Sequence, residues 1–543
     1  MLEVILLFLK HPVKKIFALF ICAVLCISPI MPVSAAGIGS RPYVKNTTAP
    51  DHLYVIEQNK LTDAQNTMVA TLQGICSKSS SQIYTLNSNQ PSYKIWLEDL
   101  KNNYGVKYEI VNDPWCLLDR FGYLVDGYVL YDSTVPGDPS INNACSLASL
   151  KNSIAVDISI EPAVRSHGIT KLAGDCRNTD KYWGYRKLWN SGLNHSTVIQ
   201  LNPKRASALR DYAIMTKSLI FYEDDKDAEE LRDTIFGSMP QNSICLGWGP
   251  DEFKNIALAS KYGIVTIPAD WSYNLTVLSA FPSCPLKQKS SKAARATSEK
   301  NMHYVTFIMS DGDNQQWNLG SCFSSPKWYG SRYRGSFNMG WTVSPSLYYL
   351  APTVLDMYYK YASAENFRDD FLVSPSGMGY IYPSRFDRKS LDSYVRELGS
   401  YMKSTDQKYV CILDDRAFYR KDLWDIYTGE PVIKGLFYLD YKRQDSYHGR
   451  IIWSRGKPVV SCRNLLWSGI ENESGLVKNI DDYVKKGYTD TRRETAYTVV
   501  YIHAWSKTLE DVYNVVLKLE QNPKIKVVAP DTFMEIIQKN VVY

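Results

Sequence analysis

The sequence lacks the cysteine and histidine spacings that build zinc sites. No two cysteines of the 543-residue chain are separated by two residues, and the seven histidines form no cluster with cysteines at ligand spacing. Structural zinc modules bring their ligands together in such short-range pairs. The pattern therefore excludes a zinc-finger or zinc-ribbon protein.

A strong excess of either charge is also missing. The chain has 62 Lys and Arg residues against 56 Asp and Glu residues, which gives a formal net charge of +6. The basic residues form no stripe or long run, as they would in a protein that binds nucleic acid. We therefore expect no nucleic-acid partner.

Long apolar runs are absent beyond the N-terminus. There, Lys14 and Lys15 precede the run IFALFICAVLCISPI, and Val33–Ala35 form a small-residue cleavage site. This arrangement predicts an export signal over 1–35, cleaved before Ala36, and a secreted chain that is not held in the membrane afterwards. An uncleaved anchor is the alternative, although the run is short for a membrane span.

Nine cysteines remain after the predicted signal. An odd number cannot pair completely within one chain, although export permits disulfides. We interpret these cysteines as small buried residues with one to three bridges among them.

Tyrosine, by contrast, is abundant, with 39 residues alongside 13 tryptophans. The apolar share of 45% is typical of a globular protein. Rings with a polar edge suit a protein that presents aromatic surfaces to polar ligands. The alternative is that many of them fill cores with their hydroxyls at the edge.

Residues 52–302 alternate short apolar strands with helical periods, which predicts small α/β domains with parallel sheets. A polar connector rich in Lys, Ser and Ala separates them from a more regular C-terminal region. The predicted division is a signal at 1–35, α/β domains at 36–145, 146–210 and 211–285, a linker at 286–302, and a catalytic domain at 303–543.

The C-terminal region holds eight short apolar segments with helical stretches between most of them. They lie at 304–309, 338–343, 370–373, 409–413, 435–439, 458–462, 497–502 and 525–528. Eight strand–helix steps in this length predict a (β/α)8 TIM-like barrel. A distorted, seven-stranded barrel and an open doubly wound sheet are the alternatives.

Chemistry in such a barrel is expected at the carboxyl ends of the strands. Polar and aromatic residues follow several of the predicted strands, namely Asp311, Asp313, Asn314, Asp414, Asp440, Arg463, Asn464, His503 and Trp505. Each aspartate could instead cap the next helix. Together they predict one ring of catalytic and binding side chains.

The segment SDGDN at 310–314 resembles the start of a calcium loop, but the residues behind it supply no further ligands and no closing glutamate. An EF-hand is therefore excluded. Asp311 and Asp313 either bend around Gly312 to share a divalent cation, or one of them faces the pocket while the other holds the loop. No cofactor is required by the first hypothesis below.

The stretch SGMGYIYPSR at 376–385 packs glycines, tyrosines and a proline together. Glycine allows close backbone approach, and proline stiffens the chain. We expect Tyr380 and Tyr382 to be displayed at the mouth of the predicted barrel as sugar-binding rings. A structural corner with both rings buried is the alternative.

Residues 377–383 match the G-x-G-Y-x-Y-P signature that names the GxGYxYP family of glycoside hydrolases, and MSDGDNQQW resembles that family's other recognisable block. The resemblance implies a TIM-like barrel behind several small domains. The closing segment around YTVVYIHAW also resembles polysaccharide deacetylases. Their paired-histidine metal motif, H-x-x-x-H, is absent from this chain.

Three hypotheses follow. The first is hydrolysis of a carbohydrate's glycosidic bond, with acid–base candidates among Asp311, Asp313, Asp414, Asp440 and His503, and with Asp313 and Asp440 as the favoured pair. Its binding residues would be Asn314, Tyr380, Tyr382, Arg463, Asn464 and Trp505. The second is metal-assisted removal of an acyl group, with Asp311, Asp313 and His503 as ligands. The third is a carbohydrate-binding protein without turnover.

Overall fold

Three small parallel sheets precede one large sheet in the computed structural model of the protein. The structure describes residues 43, 47–225, 228–290, 299–442 and 447–543. The predicted export signal at 1–35 lies outside these residues. None of the helices that the structure describes combines the length and the apolar character that a membrane span requires.

The first sheet has its first strand in the centre, with one parallel neighbour on each side, in the order β2-β1-β3. Its elements are β1 (His52–Glu57), α1 (Asp63–Cys76), β2 (Ile83–Leu86), α2 (Ser92–Tyr104), β3 (Lys107–Ile110) and α3 (Pro114–Phe121). Helix α1 begins at a capping box in which Thr62 and Gln65 satisfy each other's backbone N–H groups.

The second sheet repeats this arrangement in the order β5-β4-β6. Its elements are β4 (Tyr128–Tyr131), α4 (Ser140–Lys151), β5 (Ile154–Asp157), α5 (Glu161–Ser166), β6 (Leu172–Asp175) and α6 (Trp183–Leu188). Strands β4 and β5 are hydrogen-bonded neighbours, and the predicted boundary at residue 145 falls between them.

The third sheet adds a fourth strand, in the order β10-β9-β7-β8. Its elements are β7 (Asn194–Gln200), α7 (Arg210–Thr216), β8 (Ser218–Phe221), α8 (Glu230–Gly237), β9 (Ile244–Gly247), α9 (Glu252–Lys261), β10 (Val265–Ile267) and α10 (Leu275–Leu278). Three of these strands are buried along their whole length, as is usual for parallel strands covered on both faces. The predicted boundary at residue 210 falls inside this sheet, between β7 and β8.

The large sheet is curled and mostly parallel, and it contains ten strands. These are β11 (His303–Met309), β12 (Met339–Val343), β13 (Asp369–Val373), β14 (Tyr409–Asp414), β15 (Gly435–Asp440), β16 (Ile451–Ser454), β17 (Lys457–Ser461), β18 (Asn464–Leu466), β19 (Tyr497–Ile502) and β20 (Ile525–Val527). Its helices are α11 (Gln315–Trp317), α12 (Leu347–Leu350), α13 (Pro352–Tyr361), α14 (Arg388–Thr405), α15 (Lys421–Gly429), α16 (Glu473–Lys485), α17 (Leu509–Leu519) and α18 (Pro530–Asn540).

Side chains alternate between two apolar clusters on the two faces of this sheet. Cys411, Leu413 and Leu439 belong to an inner cluster that also holds Tyr501 from β19. Their neighbours, such as Ile412, belong to the cluster that packs against the helices. This alternation decides which polar residues at the strand ends face inward.

Each of the eight predicted apolar segments is a strand, and the structure adds β16 and β18 to them. Strand β16 is antiparallel to β17, so the sheet departs from a uniform strand–helix alternation. Strand β20 pairs only with the first half of β11, at residues 303–305. A regular eight-stranded TIM barrel is therefore not established, and the observed architecture is a mixed α/β fold with a curled sheet.

The predicted exposed connector is partly attached to the large sheet. Gln288 pairs with the backbone of Phe371 in β13, accepting its N–H at 2.7 Å and donating to its carbonyl at 3.1 Å. Residues 291–298 lie outside the described residues.

None of the nine cysteines that follow the predicted signal forms a disulfide within the described residues, and seven of them are buried. Cys116 and Cys284 are exposed. Their interpretation as small buried residues therefore fits seven of the nine, and no bridge forms among them.

Candidate active site

A cavity of about 280 Å³ opens at the carboxyl ends of the large-sheet strands. Six of the predicted site residues line it, namely Asp311, Asp313, Asn314, Tyr380, His503 and Trp505. Its other walls include Trp248, Glu252, Ser310, Thr342, Leu413, Leu439, Trp467 and Tyr501. The cavity therefore combines three carboxyl groups with several aromatic rings.

The segment SDGDN turns sharply at the end of β11. Asp311 has a positive φ of 68°, and the N–H of Gly312 donates to the Thr342 hydroxyl at 3.0 Å. A Cβ at Gly312 would overlap the carbonyl of Thr342, so only glycine fits there. The Asn314 amide donates to the Asp311 carbonyl at 3.1 Å. The turn therefore brings both aspartates to the same cavity.

Asp311 accepts hydrogen bonds on both carboxylate oxygens. The Ser310 hydroxyl donates to one, and the Trp505 indole N–H donates to the other at 2.8 Å. Trp505 is half exposed, and its ring packs edge-on against Trp317. Asp311 is therefore held in place by its own loop and by the loop after β19.

Asp313 is the buried member of the pair, with 5% of its surface exposed. Burial raises the pKa of its carboxyl well above the usual range, and the nearby charges of Asp311 and Glu252 raise it further. Burial therefore favours the protonated form of Asp313. A protonated carboxyl facing a cavity can donate a proton to a bound ligand.

His503 stands at the end of β19, stacked on Trp467 with the ring centroids 3.6 Å apart. Its Nδ1 lies 2.8 Å from the Ser506 hydroxyl. These contacts fix the orientation of the imidazole at the cavity wall.

Asp414 and Asp440, which were predicted to be catalytic, face away from the cavity. They follow Leu413 and Leu439 directly, and these two leucines point into the inner cluster. Successive strand residues point to opposite faces, so the two aspartates point outward. The prediction of Asp440 as the partner of Asp313 therefore has no geometric support.

Both aspartates instead bind nearby backbone groups. Asp414 accepts the N–H and the hydroxyl of Ser384 at 2.7 and 2.6 Å, and burial raises its pKa to about 6. Asp440 accepts the N–H of Arg416 at 2.8 Å. Asp414 thus holds the loop after β13, and Asp440 holds the loop after β14.

Arg463 and Asn464 are also directed away from the cavity. The Arg463 guanidinium donates to the Glu494 and Thr495 carbonyls at 3.2 and 3.3 Å. The Asn464 amide donates to the Glu471 carboxylate at 3.0 Å. Their expected role in substrate binding is therefore not supported by their positions.

The loop at 376–385 is a buried corner rather than a displayed surface. Tyr380 is 3% exposed and Tyr382 is fully buried. Tyr380 still lines the cavity, where it donates to Glu252 at 2.7 Å, whereas Tyr382 lies behind it with its hydroxyl 3.3 Å away. The expectation that both rings project from the mouth is wrong, because the third α/β domain covers them.

Within the described residues, no group of three His, Cys, Asp or Glu side chains is arranged to hold a metal ion. Asp311, Asp313 and His503 share the cavity without forming such a group. The predicted cation at Asp311 and Asp313 remains a prediction.

Four family models match the chain consecutively. They are described as the GxGYxYP_N 1st domain at 52–123, the GxGYxYP_N second domain at 125–193, the GxGYxYP third domain at 195–280 and the "GxGYxYP putative glycoside hydrolase C-terminal domain" at 301–538. The chain belongs to the GxGYxYP family.

The fold of this GxGYxYP protein is similar to that of a solved structure. The crystal structure of a "putative hydrolase" from Bacteroides thetaiotaomicron superposes with a TM-score of 0.85 at 29% sequence identity. The alignment covers 92% of this chain and 97% of that one. No curated protein matches the chain.

The GxGYxYP signature connects two domains. Tyr380 forms an antiparallel bridge with Thr266, its N–H donating to the Thr266 carbonyl at 2.7 Å. A Cβ at Gly379 would come within 2.6 Å of that carbonyl, so the second signature glycine permits the contact. The N–H of Tyr382 donates to the Ser260 hydroxyl at 3.0 Å. The signature therefore attaches the large sheet to the third α/β domain.

Two cavity residues of this GxGYxYP protein were missed from sequence. Trp248 and Glu252 come from the third domain, at the end of β9 and the start of α9. Trp248 stacks on Tyr380, and Glu252 accepts its hydroxyl. The signal that could have found them is the same rule of strand carboxyl ends, applied to the small sheets.

Proposed function

We propose that the protein hydrolyses glycosidic bonds, with Asp313 as the general acid and Glu252 as the second carboxylate. One observation carries the proposal: the buried carboxyl of Asp313 lines the cavity, and burial raises its pKa. Glycoside hydrolysis requires one protonated and one ionised carboxyl group on either side of the scissile bond. The family description and the hydrolase neighbour support this reaction class.

Glu252 is a better partner than the residues predicted from sequence. Asp440 faces away from the cavity, and Asp311 lies on the same loop as Asp313 with both oxygens engaged. Glu252 reaches the cavity from another domain, held by the Tyr380 hydroxyl. Two carboxyl groups on different walls can flank a bound sugar.

In the proposed reaction, the Asp313 proton moves to the glycosidic oxygen as the bond between this oxygen and the anomeric carbon breaks. Glu252 either takes a proton from the water that attacks the anomeric carbon, or attacks this carbon itself. In the second case a water then displaces Glu252 from the anomeric carbon and gives its proton to the Asp313 carboxylate. NMR of the first product decides between them, because retention requires a nucleophile and inversion requires a base.

The aromatic walls suit a carbohydrate. Trp248, Trp467 and Trp505 surround the carboxyl groups. Their ring faces can cover the C–H side of a sugar. Asn314 and Thr342 supply polar groups beside them.

We further propose that the curled sheet closes as a distorted barrel. Residues 457–466 pair with β15 through β17 and with β19 through β18. The N–H of Cys462 donates to Tyr438 and that of Arg463 donates to Val499, so one segment bridges both neighbours. This supports a ring with the cavity at its carboxyl end.

A panel of glycans and aryl glycosides tests the function, with and without a chelator. Wild type should release a sugar in both conditions. Asp313→Asn should lose turnover on poor leaving groups yet keep much of it on activated aryl glycosides, which need little acid catalysis. Loss of activity with chelator would favour metal-assisted hydrolysis, and binding without product would favour a non-catalytic protein.

A further inference from the structure

A second cavity of about 290 Å³ lies between the first and third α/β domains. It opens where β1, β2, β7 and β10 end, and Gln58, Asn87, Arg205 and Trp271 come from the loops behind these strands. Ligands of open α/β sheets bind at the carboxyl ends of the strands, where loops on both sides diverge. The position is therefore one that such folds use for binding.

The loops after the two central strands of the third sheet supply lining residues to both cavities. The loop after β7 supplies Lys204 and Arg205 to the second cavity, whereas the loop after β9 supplies Trp248 and Glu252 to the candidate active site. Strands β7 and β9 are neighbours, with their next strands on opposite sides. The second cavity is thus distinct from the active site, although it is built on the same sheet.

Arg205 is the central feature of the second cavity. Its guanidinium lies 3.3 Å from the centre of the Trp271 ring, and the nearest carboxylate, Asp270, is 3.9 Å away and too distant for a hydrogen bond. Its Nε is buried without a hydrogen-bond partner among the described residues. Partial burial removes some water from the charge and lowers the pKa of Arg205. The guanidinium is therefore placed by stacking, and donor capacity remains for a ligand.

The loop that carries Arg205 is held firmly. The fully buried Arg210 donates to the Arg205 carbonyl from Nε at 3.0 Å and from Nη2 at 2.7 Å. Lys204 next to it is exposed, and its ammonium group makes no ion pair within the described part of the chain. Two cations thus face a cavity that holds one carboxylate, Asp63.

Side-chain amides form the opposite wall. The Gln58 amide donates to the Thr85 hydroxyl at 2.9 Å, and the Asn87 amide donates to Gln58 at 2.9 Å. This chain of hydrogen bonds fixes the amides, and Asn59 extends their row at the surface. Fixed amides beside a tryptophan ring suit the hydroxyl groups of a sugar.

We propose that the second cavity binds an acidic sugar unit, whose carboxylate or sulfate group pairs with Arg205 and Lys204 while its hydroxyls meet the amide wall. Planar guanidinium groups bind such oxyanions through paired hydrogen bonds. The proposal does not depend on hydrolysis, since the site lies outside the candidate active site.

Ligand-observed NMR on the full wild-type chain tests the proposal, because the monosaccharide and sulfate probes contain no glycosidic bond to cleave. The probes are galacturonate, galactose 6-sulfate, neutral galactose and inorganic sulfate. At least one acidic sugar should bind about tenfold more tightly than galactose and sulfate, since one charge-assisted pair contributes this much. The two acidic probes distinguish a carboxylate from a sulfate ligand.

Arg205→Gln should weaken acidic-sugar binding about tenfold. Arg332→Gln is the matched control, because Arg332 also stacks on a ring, that of Tyr333, at 4.8 Å. It should leave binding unchanged. If Arg205→Gln fails to fold, the exposed Lys204→Gln takes its place, with a loss of about threefold that added salt removes.

Four outcomes would overturn the proposal. Binding could survive Arg205→Gln, or Lys204→Gln if that variant is used, or it could be lost only in Trp505→Ala, which would place the ligand in the candidate active site. Inorganic sulfate could bind as tightly as the sugars, which would indicate an anion site only. No binding of either acidic sugar would also contradict it. None of these results bears on hydrolysis at Asp313.

Discussion

Two pairs of aspartates stand at strand ends of the large sheet, and their environments differ. Asp311 and Asp313 turn into the cavity, whereas Asp414 and Asp440 bind backbone groups outside it. All four follow buried strands, so position at the carboxyl end does not separate them. The direction of the side chain does, and it is set by strand alternation in one pair and by a glycine turn in the other.

The largest expected effect is on kcat, and it should differ between the aspartates that line the cavity and those that do not. Asp313→Asn should lower kcat on unactivated glycosides about 10³-fold, since it removes the general acid. Asp440→Asn is the control and should keep kcat within about threefold, because Asp440 faces away from the cavity and accepts the Arg416 N–H on the loop after β14. Steady-state kinetics measures both. A correctly folded Asp440→Asn variant without activity would contradict this prediction and assign Asp440 a role in catalysis.

Asp414 is expected to act on stability instead. Burial raises its pKa to about 6 in the folded state, against about 3.9 when unfolded. Its stabilisation is therefore present below pH 4 and is lost as the pH rises through about 6. Relative to Asp414→Asn, wild type should lose on the order of 2 kcal/mol between pH 4 and pH 7.

Urea unfolding of both chains at the two pH values measures this change. Asp211, whose pKa burial also raises to about 6, titrates in both chains and cancels in the difference. A difference between the chains that does not vary with pH would show that Asp414 does not titrate in this range.

A smaller effect concerns the hydroxyl that holds Glu252. Tyr380→Phe should lower kcat about tenfold with KM nearly unchanged, because the carboxylate loses one charge-assisted donor. Tyr382→Phe is the matched control, since its hydroxyl lies 3.3 Å from that of Tyr380 but Tyr382 does not line the cavity. Equal losses in the two variants would indicate a packing effect rather than positioning.

The smallest effect should appear in the pH profile. Asp311→Asn removes a negative charge that raises the pKa of Asp313, so the alkaline limb of kcat/KM should move to lower pH. Wild type and variant are compared on the same aryl glycoside. An unmoved limb with a large loss of kcat would assign Asp311 a direct role in the reaction.

The sequence predicted the strands of the large sheet well, because short apolar segments between turns and helices are a local signal. It did not predict which face of each strand is inward. Strands β14 and β15 are buried along both faces, so the alternation of apolar and polar residues that reveals an inner face is missing. Asp414 and Asp440 were therefore placed on the wrong side.

Glu252 and Trp248 were missed for another reason. They lie more than fifty residues before the large sheet, and their approach depends on how the third domain docks. The docking surface is the signature itself, where Gly379 meets Thr266. A seven-residue pattern reveals that these residues matter, but it does not reveal their partner.

The bridge between Tyr380 and Thr266 also implies that the proposed catalytic activity depends on correct docking of the third domain on the large sheet. A shortened chain that starts after residue 298 would retain Asp313, the proposed acid, but not Glu252, the proposed second carboxylate. Molecules in which the third domain has docked incorrectly would have no activity, rather than activity with altered specificity. The motif that names the family would thereby couple activity to folding, because the proposed site is complete only when the third domain is docked on the large sheet.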